Sequence, residues 1–233
     1  DKPIMAGLNI YHQKTTYEEF KKIVAGNPVE TATGAVITLG YQSPRLNDTA
    51  FLFRVGYRNQ RYNELNLSGF AEIENVQAPL LARIKRTFAS GDIGSLESIV
   101  SQNTFNNPLF PTRGYQWSLT NKFGHFIISN QNNSLNGCFN YFKTNMDASW
   151  CTPLIAEYDL IFYLHGHMGL IGQINNGNVP YRELYNIGGP STVRGFTFGQ
   201  IGPQIFGDPL GAKKAFWVNV ELRFPITSDM SIK

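Results

Sequence analysis

Long runs of strict alternation between apolar and polar residues constrain this chain most. In "AFWVNVELRF", Phe216, Val218, Val220, Leu222 and Phe224 fall on one face of an extended strand. Trp217, Asn219, Glu221 and Arg223 fall on the other, because successive side chains of a strand point to opposite sides. "FLFRVGYR" sets Phe51, Phe53, Val55 and Tyr57 against Arg54, Gly56 and Arg58. "GAVITLGY" sets Ala35, Ile37, Leu39 and Tyr41 against Val36, Thr38 and Gly40. The same pattern places Tyr115, Trp117, Leu119 and Phe123 opposite Lys122. It places Leu160, Phe162, Leu164 and Met168 opposite Tyr163, His165 and His167, and Phe142, Met146 and Trp150 opposite Lys143 and Asp147. Residues 4–16 and 95–105 complete eight expected strands.

Strands of roughly 9–12 residues exceed the usual length in soluble sheets and match what a tilted strand needs to cross a bilayer. The connections alternate too. "QSPRLND", "NNPLFPTRG", "TPLIAEYD" and "PITSDM" are short and carry Pro, whereas the links around 16–32, 63–94, 124–136 and 173–212 are long. Short turns at one end and long loops at the other are the layout of a transmembrane β-barrel. The fold expected is therefore all-β and antiparallel, with one short loop helix. That helix is expected over 78–88, where Ile73, Val76, Leu80, Leu81, Ile84 and Phe88 recur at helical spacing, Arg83, Lys85 and Arg86 take the other face, and Pro79 suits the first turn. It reads as a cap on neighbouring loops, with membrane-surface contact as the alternative.

On a barrel the apolar face meets lipid, so Arg54, Arg58, Lys122, Lys143, Asp147, Glu221 and Arg223 are expected to point inward. Tyr41, Tyr115, Trp150, Tyr158 and Phe224 fall near strand ends, where interfacial girdles form. A soluble β-sandwich binding module, with the apolar faces in a core, is the alternative reading. A formal net charge of +3 with scattered basic residues excludes a nucleic-acid surface, and no apolar run is long enough for a transmembrane helix. The opening "DKPIMAGLNI" has no signal-peptide pattern and reads as the interior of a longer chain. Cys138 and Cys151, if on one strand, lie ~40 Å apart and form no disulfide.

Candidate chemistry is sparse. His165 and His167 share a strand face without an apparent third ligand, so solvated histidines are expected rather than a metal site; no catalytic constellation, cofactor site or metal site is assigned. "GGPSTVRGFTFGQIGP", residues 188–203, is glycine-rich. Yet a phosphate loop needs a helix after it, and here a loop and then a strand follow.

That stretch resembles the signature loop of the BamA-like outer-membrane protein assembly factors and related polypeptide transporters. The matching residues are Gly188 and Gly189, the core Val193, Arg194, Gly195 and Phe196, and the trailing Gly202 and Pro203. "NPLFPTRG" (107–114) and "ELRFP" (221–225) are similar to a family turn and to the strand after the loop. The family's charged run before the Pro-Thr turn reads here "NTFNN", so that charge network is expected to be absent or rebuilt. The resemblance implies about eight strands of a sixteen-stranded barrel in the bacterial outer membrane of a Gram-negative cell. Residues 1–233 would form part of one transmembrane barrel domain, with the POTRA domains and the first and last strands outside this chain. It implies insertion and folding of other outer-membrane proteins, without enzymatic catalysis. The partners implied are unfolded outer-membrane clients, outer-membrane lipid and periplasmic accessory lipoproteins reached through POTRA domains, with no nucleic acid. A two-partner-secretion channel is the alternative within this resemblance. The resemblance also implies that the loop folds into the lumen and that an acidic residue on a following strand holds Arg194. Parity puts Glu221 on the polar face of the next strand, so an Arg194–Glu221 pair is expected, with Gly195 relieving crowding beside the arginine. Breaking such a pair, if buried, would cost roughly 3–5 kcal/mol.

Overall fold

Alternation at period two becomes eight long antiparallel strands in the computed structural model, which describes residues 4–18, 28–63, 84, 86–128, 140–155, 159–175, 177–205 and 207–224. The strands are β1 (Ile4–Thr16), β2 (Val29–Ser43), β3 (Thr49–Tyr62), β4 (Gly91–Asn103), β5 (Gly114–Ile128), β6 (Asn140–Ile155) and β7 (Leu160–Gln173). A two-residue hairpin of β8 (Gln204–Ile205) and β9 (Asp208–Pro209) precedes β10 (Lys214–Arg223). Each strand pairs with its neighbour in sequence, in the order β1-β2-β3-β4-β5-β6-β7-β10, so β1 and β10 are the edges of an open sheet. The strands run from ten residues in β10 to sixteen in β6, and β2 to β7 are longer than the sequence pattern alone marked out. Most of the added length lies at the ends carrying the long links, where polar residues such as Glu30 and Gln60 continue the ladder.

Register turns the sequence pattern into continuous surfaces. Tyr115 faces Trp150, Leu119 faces Met146 and Phe123 faces Phe142 across β5–β6. Trp150 faces Leu164 and Met146 faces Met168 across β6–β7. These rows are largely exposed: Phe123 is 55% accessible, Trp150 47% and Met168 47%. Water would penalise such a surface heavily, at roughly 25 cal/mol per Å² of apolar area. An apolar solvent does not, and there every backbone N–H and C=O must find a partner within the sheet. Among the described residues the only other sheet is the β8–β9 hairpin. Nothing there covers the apolar face as a sandwich would.

The opposite face carries Arg54, Arg58, Lys122, Lys143, Glu221 and Arg223, each in an ion pair, and Asp147, which is hydrogen-bonded to His167. One cavity of about 410 Å³ on this side is lined from six successive strands, β1 to β6. Laid flat, those strands would extend over roughly 24 Å at ~4.8 Å per spacing, so the sheet curls about its polar side. Toward the long-link end this side also holds an apolar cluster of Ile93, Tyr141, Ile171, Val179, Tyr185, Ile187 and Ala215. The long segment between β7 and β10 supplies Val179, Tyr185 and Ile187.

The helix expected over 78–88 is described only in part. Ile84, Arg86 and Thr87 are helical, with Phe88 in the turn after them, and 78–83 and 85 lie outside the described residues. Ile84 and Phe88 are both buried, which fits the cap rather than the membrane-surface reading. Cys151 is a free, buried thiol on β6. Cys138, Tyr158 and the expected turn from Pro225 onward lie outside the described residues.

A cation in the middle of the apolar face should therefore be rejected by a bilayer. Met146→Arg is expected to cost roughly 2–4 kcal/mol if the position lies near the midplane. Denaturant titration of the intact protein's folding into lipid vesicles measures it.

Candidate functional site

The segment between β7 and β10, residues 174–213, lies against the polar face, and its seat is built from small and aromatic residues. The Tyr185 ring stands where a side chain of residue 169 would be, with ring atoms 2.4 Å from the place of a Cβ. Gly169 on β7 thus lets the segment reach the wall. The Tyr185 hydroxyl donates to Asn145 Oδ1 on β6, and Lys143 Nζ sits 4.7 Å over the Tyr185 ring. Main-chain bonds join Tyr185 to Ala212 in both directions, at 2.9 and 2.8 Å, and Ile201 N to Ile187 O at 3.0 Å. They close the segment into a compact loop.

The glycine-rich stretch forms the far part of this loop. Gly188 and Gly189 are buried at its neck, Val193 is half-buried, and Arg194, Gly195, Phe196, Gly202 and Pro203 are exposed. A tight return binds Gly189 N to Phe196 O at 2.8 Å and Gly188 N to Thr192 Oγ1 at 2.8 Å. The wall answers with Asn219 Nδ2, which donates to Thr192 O at 2.8 Å. Crowding does not account for Gly195, because a Cβ there would meet nothing within 4 Å. Its φ of +88° does account for it, since side chains other than hydrogen disfavour that region.

Arg194 Nη2 lies 3.2 Å from Glu221 Oε1 on β10. Glu221 is shared: Arg223 donates to its Oε2 from Nε at 2.9 Å and from Nη2 at 2.8 Å. The Arg223 guanidinium also lies 3.6 Å over the Tyr163 ring. Arg194 is 73% exposed and Glu221 20%, so this is not the buried pair whose rupture costs several kcal/mol. An exposed pair contributes about 0.2–1 kcal/mol. The involvement of Arg223 was readable from parity alone, since it stands two residues from Glu221 on the same face.

A second charged cluster escaped sequence reasoning. Lys122 on β5 and Lys143 on β6 are directly opposed in register, a like-charge arrangement that destabilises a sheet. Glu183 from the loop lies between them. Its Oε1 accepts from Lys122 Nζ, its Oε2 lies 3.4 Å from Lys143 Nζ, and its main-chain oxygen accepts from the same ammonium at 2.7 Å. Burial alone would push the Glu183 carboxyl up, but the two ammonium groups outweigh it and hold the group down at about 2. The signal in the sequence was two inward lysines whose strands are neighbours, facing a loop with a single acidic residue between 174 and 207.

Glu183 ends a 3-10 turn, Tyr181–Glu183, that follows Pro180. Three residues per turn fan successive side chains about 120° apart. Tyr181, 1% exposed, enters an aromatic box, stacked on Phe88 at 4.9 Å and edge-on to Tyr17 at 5.3 Å. Tyr62 closes the box against Phe88 at 5.4 Å. Arg182 Nη1 reaches Gln13 Oε1 on β1 at 3.3 Å. Beneath the box, buried Glu30 accepts from the Tyr17 hydroxyl and from Arg58; burial and this carboxylate raise the Tyr17 phenol above its ordinary range.

The histidines have local partners on the strand opposite. His165 Nδ1 bonds Ser149 Oγ at 2.9 Å, while His167 Nδ1 bonds Asp147 Oδ1 at 2.6 Å and its ring stacks on Trp217 at 3.9 Å. In the turn from 104 to 113, where a charge network was expected to be absent or rebuilt, asparagines make the contacts. Asn106 Oδ1 accepts from Thr112 N at 3.1 Å and Arg113 N at 3.2 Å, and Asn107 Oδ1 accepts from Leu109 N at 2.9 Å. The turn is thus rebuilt from neutral side-chain caps.

A family model described as the Omp85 superfamily domain matches residues 1–232. Over 121 residues the chain is 31% identical to a SAM50-like protein of Drosophila melanogaster, covering 52% of this chain and 24% of that protein. Over 131 residues it is 27% identical to the outer membrane protein assembly factor BamA of Neisseria meningitidis serogroup B, covering 54% of this chain and 15% of that protein. The crystal structure of BamA from Haemophilus ducreyi lacking POTRA domains 1–3 shares the fold at a TM-score of 0.73 and 19% identity. That match covers 97% of this chain and 43% of the solved one. The chain therefore spans less than half the length of each of these proteins.

The depressed Glu183 carboxyl sets a pH window. Its contribution to loop docking is complete above the ordinary carboxylate value of roughly 4.3 and is lost as pH falls through about 2. A fluorophore attached in place of Ser191 should report undocking between these limits, and the Glu183→Gln variant should lack that step.

Proposed function

The chain belongs to the Omp85 superfamily of outer-membrane β-barrels, and on that premise we propose that it is part of a factor that inserts and folds other barrel proteins in the outer membrane. In this reading the polar face of the sheet lines a water-filled lumen, the apolar face meets lipid, and residues 174–213 fold into the lumen. The observation that carries the reading is the loop bearing Val193, Arg194, Gly195 and Phe196, seated on the polar face with Arg194 3.2 Å from Glu221. The matched BamA of Neisseria meningitidis carries assembly of outer membrane proteins in its name.

The mechanism follows from what these residues can do. No cofactor or nucleotide takes part, and the work comes from the client's own folding as its strands exchange water for lipid and hydrogen-bonded neighbours. Arg194 and Glu221 act by position: the ion pair and the Asn219–Thr192 bond keep the loop tip on β10. Phe196, 46% exposed, stands beside Arg194 as an apolar surface within the lumen. The partners are unfolded outer-membrane proteins, outer-membrane lipid and periplasmic accessory lipoproteins bound through POTRA domains outside this chain.

Because Arg194 is largely exposed, its loss should separate stability from activity. Arg194→Ala is expected to change barrel stability by no more than about 1 kcal/mol. It should slow insertion of an unfolded barrel client into vesicles carrying the intact protein. Insertion at the unaltered rate overturns the role given to Arg194, and transport of a soluble secreted polypeptide without insertion overturns the assembly reading.

A further inference from the structure

The two electrostatic contacts between loop and wall differ greatly in setting. Arg194, at the tip, is 73% exposed and shares Glu221 with Arg223. Glu183, near the base, has a side chain only 15% exposed, and it bridges both Lys122 and Lys143. Water screens the first contact and weakens it. The second sits where removing one partner leaves like charges facing each other at close range.

We propose that Glu183 is the positioning residue of the loop: its bridge to Lys122 and Lys143 fixes the loop base on β5 and β6, and the placement of Arg194 beside Glu221 depends on it. Geometry supports the direction of that dependence. Tyr181 and Arg182, in the same turn, engage the aromatic box and β1, so one turn meets the wall on several sides. Between the turn and the tip, Tyr185 and Ile187 pack into the apolar cluster and carry the placement forward. The tip itself has Val193 packed at the margin of that cluster, one wall hydrogen bond from Asn219 and the exposed Arg194–Glu221 pair. These are fewer and wetter contacts than those of the base.

The bridge is electrostatic rather than steric. Glu183 meets both ammonium groups with its carboxylate, and its main-chain oxygen adds a further acceptor for Lys143. A residue of the same shape without charge would leave Lys122 and Lys143 opposed. The inference rests on the lumenal reading above only for its consequence in client assembly; docking of the loop is measured separately.

The test uses the intact protein in lipid vesicles with Cys138 and Cys151 replaced by Ala. Cysteines replace Thr192 and Asn219, which touch across the loop and β10, and a short bifunctional thiol reagent captures the docked loop. Heat-modifiable gel migration verifies a folded barrel. Glu183→Gln is expected to lower cross-linking at least several-fold. Reversing the charges, with Glu183→Lys, Lys122→Glu and Lys143→Glu together, is expected to restore it, which a role in shape alone would not do. Cross-linking at the parent level in Glu183→Gln overturns the proposal, as does a folded charge-reversed protein whose loop is not captured. If Glu183→Gln does not fold, the charge-reversed protein decides by the same criterion. A positive cross-linking result with no client insertion by the parent protein would keep the latch and overturn the assembly function instead.

Discussion

Two lysines face each other across β5 and β6, and a carboxylate from a distant loop lies between them. This three-way contact ties the wall to the loop. The strands alone would set Lys122 against Lys143, and the loop alone would carry Glu183 out of water without a partner. Each half of the structure holds the charge that the other lacks. The same logic recurs around the polar face, where Arg54 meets Glu97 and Arg58 meets Glu30. Charges held off lipid are matched locally, so the face can be highly polar and well packed together.

The apolar face follows from the opposite requirement. A strand can expose Leu, Ile, Phe and Val in rows only where the surrounding medium is apolar, and such a medium cannot satisfy a backbone N–H or C=O. Long strands, each bonded to its sequence neighbour, satisfy both conditions at once. This arrangement also explains why most large exposed side chains belong to strands, while the fully buried ones, such as Tyr141, Tyr181, Gln60 and Glu30, lie on the polar side or beneath the loops. The usual inside-outside rule is inverted on the wall and restored under the loop, where Ile93, Ile171, Val179 and Ile187 form an ordinary apolar cluster.

Much of the wall was legible in the residues. Six of the eight long strands contain the alternating segments, β1 coincides with the expected 4–16, and β4 runs Gly91–Asn103 against the expected 95–105. Arg54, Arg58, Lys122, Lys143, Asp147, Glu221 and Arg223 share the polar face that parity assigns them. Strand ends were less legible, because Glu30 and Gln60 are buried by loops that pattern reasoning cannot place. The loop was legible as a motif but not as a contact set. Gly195 illustrates the limit: its motif position was clear, while its physical reason is a positive φ and not crowding. The turn at 104–113 is similar, since the missing charges were evident and the asparagine caps that replace them depend on backbone geometry.

Sequence alone determined which side of each strand meets lipid, because alternation is a local property with a period of two residues. It also marked the loop that carries Arg194. Only the tertiary structure decided that Glu183 answers Lys122 and Lys143, sixty-one and forty residues away. It also decided that Arg194 would be the more exposed of the two loop contacts. Such pairings depend on strand register, on the curl of the sheet and on how far a loop folds back. Those quantities are fixed by many weak contacts acting together, and no short stretch of sequence contains them.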